Sequence, residues 1–550
     1  MYRIRTIKAL LFSLMLFAAC NPGGKPVLFK LMPETQTGIT FRNIITESDS
    51  LNALNFTNIY HGSGVGIGDF NNDSLPDVFL AGNMVSCKLY LNQSEFKFKD
   101  ITTDAGTQTH QWVNGVSIID INQDGWKDIY CSVGNLGDSA ASANLLFINQ
   151  GNNKSGIPVF REMAAEYGLN NKAYSMQAAF FDYDRDGDLD MYLLNNGVAS
   201  AKTSYMIRPR MLNGESETTD QLFRNDGGTD HPHFTNVSRI AGITAEGFGL
   251  GLAISDLNND GFPDIYVSND FISSDLLWMN NGNGSFTDHC NDYLQHTSLN
   301  GMGVDIADIN NDGWNDIMQL DMLPKDNFRR KMMLNKANYN SFLLQRTLGY
   351  QAQFVRNVLQ INRGPSPDSG LSFSDLAQMN GIAATDWSWA PLIADFDNDG
   401  WKDIFVTNGY RRNITDLDFI NYDFVTHTRF GSAAYKKSTY KEQLAKLPEV
   451  KLPDCIFHNN HGQGFTELGA DWGFSIPSFS TGAAYADFDN DGDLDLIVNA
   501  IDEQVMLYQN QSVQKSVTLI FKGDSMNRDG IGAKITAGFG GETIHLENYP

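Results

Sequence analysis

The chain has 550 residues, 42% hydrophobic and 19% charged. That composition is globular, and the length exceeds one ordinary core unless the core is a barrel or a repeat array. Its 40 Lys+Arg against 65 Asp+Glu leave a net charge of -25, which disfavours nucleic acid and anionic membrane surfaces as partners.

Arg3, Arg5 and Lys8 form a positive start to the chain, followed by an apolar run from Ala9 to Ala19. That run is shorter than the roughly 20 residues a membrane span needs, and it reads as an export signal. It ends Phe17-Ala18-Ala19-Cys20, which resembles a bacterial lipobox with Cys20 as the lipidated residue. Residues 1–19 are therefore expected to be a lipoprotein signal peptide and 20–37 a tether. The segment Gly38-Ile39-Thr40-Phe41-Arg42-Asn43 is expected to act as a fourth β-strand, for a reason given by the repeats that follow.

The pattern D-x-[DN]-x-D-[GS]-x-x-D occurs seven times, and its spacing suits a hard cation. Calcium takes six to eight oxygens, and the side chains at positions 1, 3, 5 and 9 of such a loop converge on one point. The expected ligands are Asp69, Asn71, Asp73 and Asp77; Asp120, Asn122, Asp124 and Asp128; and Asp182, Asp184, Asp186 and Asp190. They continue with Asp256, Asn258, Asp260 and Asp264; Asp308, Asn310, Asp312 and Asp316; Asp395, Asp397, Asp399 and Asp403; and Asp487, Asp489, Asp491 and Asp495. Position 7 is expected to add a backbone carbonyl. Position 6 is Gly in every copy except Ser74, as a sharp turn with positive φ requires.

An EF-hand is excluded, because it needs Glu at position 12. Here that position holds Leu80, Cys131, Leu193, Val267, Gln319, Val406 and Val498. The loops lie between β-branched and aromatic runs such as VSIID and DIYCSV, so each is the turn of a β-hairpin. Downstream of each comes an apolar pair, any residue, then Asn: Asn92, Asn149, Asn225, Asn280, Asn362, Asn459 and Asn510. Several copies continue through Gly to a Phe-containing strand. Four strands per unit, repeated seven times, specify an all-β, seven-bladed β-propeller with a calcium-binding loop in each blade. The last unit lacks a Gly–Phe strand of its own. The Phe41 segment is expected to supply it and remove two sheet edges.

The loops resemble those of FG-GAP/VCBS repeat proteins, whose fold is the integrin-α-type propeller, and more narrowly those of the cartilage-acidic-protein-like group. Asp321-Met-Leu-Pro324, Thr385-Asp-Trp-Ser-Trp389 and Thr407-Asn-Gly-Tyr410 look like segments of large Bacteroidota envelope lipoproteins of this group. Ser516 to Thr536 is similar to the start of an ASPIC/UnbV domain. The resemblance implies a propeller over 38–512 and the beginning of a small C-terminal β module over 513–550.

The 21 carboxylates at positions 1, 5 and 9, with Asp184, Asp397 and Asp489, nearly equal the net charge. Such clusters repel unless a divalent ion neutralises them, so up to seven structural Ca²⁺ are expected. Insertions at about 198–220, 321–357 and 408–453 leave the blades at one place, between the second and third strands, and so should share a face of the disc. The insert carrying Arg329, Arg330, Lys331, Tyr339, Phe342 and Tyr350 is read as helical and packed on the propeller. Trp387 and Trp389 are read as core.

Cys87 and Cys131 are expected to be small buried hydrophobes, and neither they nor Cys290 and Cys455 suggest a specific bridge. His231-Pro-His233 and His458-Asn-Asn-His461 read as turn residues, not metal pairs. No nucleophile elbow, zinc-protease, P-loop or dinucleotide signature occurs. The expected function is a calcium-stabilised binding or scaffolding module of the bacterial envelope, at the outer membrane. It would be lipid-anchored at Cys20 and engage a glycan or protein through its inserts. A polysaccharide lyase or hydrolase on the same fold is the alternative.

Overall fold

The computed structural model describes residues 27–134, 142–197, 207–228, 232–271, 273–333, 339–366, 370–421, 444–523, 527–539 and 542–549. Cys20, His231 and parts of all three inserts lie outside the described residues. Seven four-stranded antiparallel sheets follow one another along the chain. The first consists of Val65–Gly68, Asp77–Leu80, Lys88–Asn92 and Phe98–Asp100, paired in sequence order. Its opening hairpin is registered Val65 to Leu80 and Gly68 to Asp77, so that the nine-residue motif forms the turn.

The first strands of the blades are Val65–Gly68, Val113–Ile119, Tyr174–Phe181, Gly249–Ser255, Val304–Ala307, Ser388–Ala394 and Ser480–Ala486. Each packs against the next, and the seventh packs back on the first, closing the ring around a channel. Glycine permits this approach. A Cβ on Gly115 would stand 2.3 Å from the Met176 carbonyl oxygen, and one on Gly303 would stand 2.1 Å from that of Trp389. Apolar clusters fill the spaces between successive blades, as where Phe98 of the first blade meets Phe488 of the seventh at 5.7 Å.

The closing strand differs from the one expected. Phe29–Leu31 pairs with Met506–Asn510, from Phe29 opposite Asn510 to Leu31 opposite Tyr508. The Phe41 segment makes isolated bridges, Arg42 to Gln504 and Asn43 to Ile501. The expectation of closure by the N-terminal segment holds, but the tether assigned to 20–37 overlaps the fold. The cause is packing: Phe29 is buried against Phe396 at 6.0 Å and Phe474 at 4.9 Å, filling the groove between the last two blades. Phe41 is also buried, but it joins the cluster between the seventh blade and the first.

Antiparallel order puts the acidic motifs and the turns between third and fourth strands at one end of the disc. The inserts and the links between blades lie at the other. At the insert end, buried carboxylates tie the second strand to the third. Asp220 accepts from the Asn195 amide at 2.8 Å, Asp275 from Asn269 at 2.8 Å and Asp454 from Asn408 at 3.0 Å. Asn144 serves Val133 in the same way at 2.8 Å.

The C-terminal segment forms a hairpin, Ala533–Phe539 with Glu542–Asn548, over the acidic-motif end. Glu547 accepts from Ser255 Oγ and Asn315 Nδ2, both at 2.6 Å. Lys534 Nζ donates to Asp256 Oδ2 at 2.7 Å and Asn259 Oδ1 at 2.6 Å. The hairpin's His545, Leu546 and Glu547 line the channel cavity, about 550 Å³, together with residues of the first strands. Among the described residues no helix is long and apolar enough to cross a membrane.

Candidate metal centres

All seven motifs adopt one loop geometry, built from their own side chains. The position-1 aspartate receives the amides of positions 5 and 6; on Asp308 these are Asp312 N at 3.1 Å and Gly313 N at 2.8 Å. The position-5 aspartate caps the amide of position 7, as Asp399 does for Trp401 at 2.8 Å. Position 4 is left-handed in every copy, with φ from 55° at Gln123 to 62° at Arg185. Position 6 is left-handed too, and Ser74 holds it at φ 68° despite its Cβ. A non-glycine residue there costs about 1–2 kcal/mol.

Position 9 is wholly buried in every loop. One of its oxygens takes the amide of position 2 and the other takes the amide of the third-strand Asn. Asp77 accepts from Phe70 at 3.0 Å and Asn92 at 2.7 Å; Asp495 accepts from Phe488 at 2.9 Å and Asn510 at 2.8 Å. The same aspartate thus closes the loop and joins it to the third strand. Its burial is expensive without a cation. Burial pushes the carboxyl up to about 8 at Asp77 and about 9 at Asp190 and Asp495, and neighbouring carboxylates add to the rise.

The third-strand Asn, found in the sequence as a repeat marker, is a staple between blades. Asn92 Nδ2 donates to Phe488 O at 2.9 Å, Asn149 to Phe70 O at 2.9 Å and Asn280 to Tyr183 O at 2.8 Å. Asn362, Asn459 and Asn510 do the same to Leu257, Ile309 and Phe396 at 2.9, 2.8 and 2.7 Å. Each acceptor is position 2 of another blade's loop. A second set of links uses position 4: Asn72 donates to Gly125 O and Asn259 to Gly313 O, both at 3.1 Å. Asn311 reaches Gly400 O at 3.1 Å. Where position 4 is Gln123, its Oε1 instead accepts from Arg528 N of the C-terminal segment at 2.9 Å.

The residues present fit a hard cation. In the third, sixth and seventh loops one oxygen from each of positions 1, 3 and 9 lies within 4.8 Å of the others: Asp182, Asp184 and Asp190; Asp395, Asp397 and Asp403; Asp487, Asp489 and Asp495. Asp184 Oδ1, Asp397 Oδ1 and Asp489 Oδ1 are buried with no hydrogen-bond partner among the described residues, which a cation would relieve. In the other four loops position 3 is Asn, and its Nδ2 donates to position 5, as Asn122 does to Asp124 at 2.9 Å.

Two features were not anticipated from sequence. Position 7 of the third and seventh loops is itself acidic: Asp188 and Asp493 are buried, each with an unpartnered Oδ1. The motif treats that position as free, although the letters DGD stand in both copies. The two histidines read as turn residues also meet the sixth loop. His458 Nδ1 lies 3.2 Å from Asp403 Oδ1 and 3.5 Å from Asp397 Oδ2, and His461 Nε2 lies 3.6 Å from Asp399 Oδ2. The pair thus lies beside carboxylates of the sixth loop, a placement the turn reading did not foresee. His458 holds Asp403 lower than its counterparts, about 6 against the rise from burial.

The model of the FG-GAP-like repeat matches residues 69–131 and 256–318, covering the first, second, fourth and fifth loops and the strands between them. The chain is 25% identical over 241 residues to cartilage acidic protein 1 of Xenopus tropicalis, covering 43% of this chain and 33% of that protein. It is 23% identical over 268 residues to the Mus musculus protein of the same name, covering 48% and 37%. The chain thus spans about a third of the length of the curated relatives it matches. The chain thus carries two stretches that match the FG-GAP-like repeat within a seven-bladed β-propeller, and over part of its length it is similar to cartilage acidic protein 1.

Proposed function

We propose that the protein is a calcium-stabilised binding or scaffolding module that engages a glycan or protein partner through the insert face of its propeller, and that it is not an enzyme. In this reading residues 1–19 direct export, Cys20 carries lipid, and the propeller works in a bacterial envelope at the outer membrane. Residues 513–550 belong to an ASPIC/UnbV-like module. Seven Ca²⁺ would take the net charge to about -11 and hold the loops through the residues described above.

The separation of the two faces carries the proposal. The motif face is occupied by its own hydrogen-bonded loops and by the C-terminal hairpin. The insert face instead presents apolar side chains outward. The expectation that the helical insert packs its apolar residues inward holds for Met333 and Tyr350 but fails for Phe328, 73% exposed, and Tyr339, 74% exposed. Leu343 and Leu344 are exposed beside Tyr339 on the helix Tyr339–Thr347. Arg329 is committed to Asp386 by two bonds of 2.6 and 2.7 Å, which fixes the insert to the sixth blade. Trp387 stacks on Tyr410 at 3.6 Å and belongs to the core.

A glycan array run beside an assay for new reducing ends and unsaturated products tests this. Binding that Phe328→Ser and Tyr339→Ser abolish, with no product formed, supports a binding module. Turnover of a bound polysaccharide would overturn it in favour of an enzyme.

A further inference from the structure

The sixth loop differs from the other six in its chemistry. The residue before the staple Asn is Leu91, Ile148, Arg224, Met279, Ile361 or Gln509 elsewhere, and His458 here. Arg has no lone pair for a metal and the aliphatic residues have no donor atom, whereas a neutral imidazole has one. One ligand atom from each of Asp397, Asp399 and His458 lies within 4.8 Å of the others, with Asp397 Oδ1 unpartnered beside them. His461, from the turn that follows, brings a second imidazole 3.6 Å from Asp399 Oδ2.

Ligand atoms bound at 2.0–2.2 Å to a tetrahedral or octahedral ion lie about 2.9–3.5 Å apart. The His458–Asp397 separation of 3.5 Å falls on that scale. A shell of carboxylates and carbonyls suits calcium, whereas imidazole suits zinc and its neighbours. Trp472, at 5.5 Å from His458, and Trp401, at 5.9 Å from His461, flank the two rings and give the site apolar walls.

We infer that the sixth loop is a mixed imidazole–carboxylate site that takes a zinc-class transition-metal dication in preference to calcium, with His458, Asp397 and Asp399 as ligands and His461 as a further one. The inference rests on reading the loops as cation sites, and it splits one of them from the calcium set.

The test uses the full chain without a histidine tag, in saturating calcium near pH 7.5. It is titrated with Co²⁺, whose visible absorption reports imidazole ligation, and then with Zn²⁺ to displace it. One equivalent of Co²⁺ should bind. His458→Gln should weaken it by about tenfold or more, in keeping with the loss of a metal-site partner. Gln is already accepted at the matching position of the seventh blade, Gln509, so this variant folds as that blade does. His289→Gln, remote from the loop, should leave the titration unchanged. Undiminished Co²⁺ binding in His458→Gln, or none in the unaltered chain, overturns the inference. Calcium counted by equilibrium dialysis on the same samples tells that failure from a failure of the loops to bind cations at all.

Discussion

Removing one staple should cost more than its single side chain suggests. Asn280 is buried, and its Nδ2 donates to Tyr183 O at 2.8 Å and Pro263 O at 3.2 Å, while its Oδ1 accepts from Gly282 N at 3.0 Å. Asn280→Ala strands two carbonyls and one amide. At about 1–3 kcal/mol for each buried group left unsatisfied, and with partial relaxation, the loss is about 3–5 kcal/mol. Asn281→Ala, in the exposed turn beside it, removes solvent-facing bonds to Ser285 and Thr287 and should cost about 0.5 kcal/mol or less. Asn280→Asp keeps the shape but turns an anionic oxygen toward the two carbonyls, and it should be at least as harmful as the alanine. Urea unfolding of the three variants in saturating calcium measures this. If Asn280→Ala and Asn281→Ala shift the midpoint equally, the bond between blades carries no stability, and the Asn repeat is a local turn signal.

Chelation should lower the melting temperature, since an ion that binds only the folded state adds about 4 kcal/mol at a thousandfold excess over its Kd; an unchanged melt in excess chelator would show the loops dispensable. Asp182→Ala and Asp487→Ala should destabilise the calcium-saturated protein more than Asp69→Ala, whose loop has Asn71 at position 3 and a strained Ser74; a larger loss for Asp69→Ala would mean that local packing, not charge, ranks the sites. Asp220, Asp275 and Asp454 are each raised by burial from 3.8 to about 7. The folded protein then holds protons that the unfolded chain releases, so their contribution to stability falls as the pH rises from about 4 to about 7 and is level above that. In saturating calcium, Asp275→Asn should flatten part of this slope, and an unaltered slope in melts across that range would rule out Asp275 as a source.

The repeat was legible because turn geometry, the loops' own carboxylate hydrogen bonds and strand pairing demand letters at fixed spacing, so seven units could be counted from the sequence. The closing strand was not. Phe29–Leu31 carries no Gly–Phe signature, and its three residues are chosen by a groove between blades that no local pattern reveals. The Phe41 segment matched the signature and lost on packing. The neighbours of the two histidines were hidden for a related reason: the turn signal in HNNHGQG is genuine, and only the fold shows that His458 and His461 lie beside Asp397 and Asp399. The Gly positions of the first strands also carry spacing information, but their cause is the neighbouring blade's backbone, as at Gly115 and Gly303.

The acidic loops also explain a pattern that runs between strands. Where position 3 is Asn, the residue before the staple is apolar: Leu91, Ile148, Met279 and Ile361. Where position 3 is Asp, that residue is Arg224, His458 or Gln509. Gln509 Nε2 donates to Asp489 Oδ2 at 3.1 Å, and His458 lies 3.5 Å from Asp397 Oδ2. In the seventh loop the extra carboxylate thus accepts a hydrogen bond on its outer oxygen, whereas Arg224 is paired with Asp226 at 2.7 Å; the inner Oδ1 of Asp184, Asp397 and Asp489 has no hydrogen-bond partner among the described residues. A side chain satisfied on one side and bare on the other is oriented for a ligand, because a merely structural turn would gain nothing from leaving that oxygen dry. The third-strand partner therefore holds the position-3 carboxylate ready, and its loss should weaken cation binding at that loop alone. Gln509→Leu, which restores the apolar residue of the Asn-type blades, is the direct comparison. It should lower calcium affinity at the seventh loop by about 10–100-fold, the range for losing the support of a metal ligand. Calcium titration would then show one weakened site among otherwise unchanged ones, and an unchanged titration would mean that the pairing between strands follows packing and not ligation.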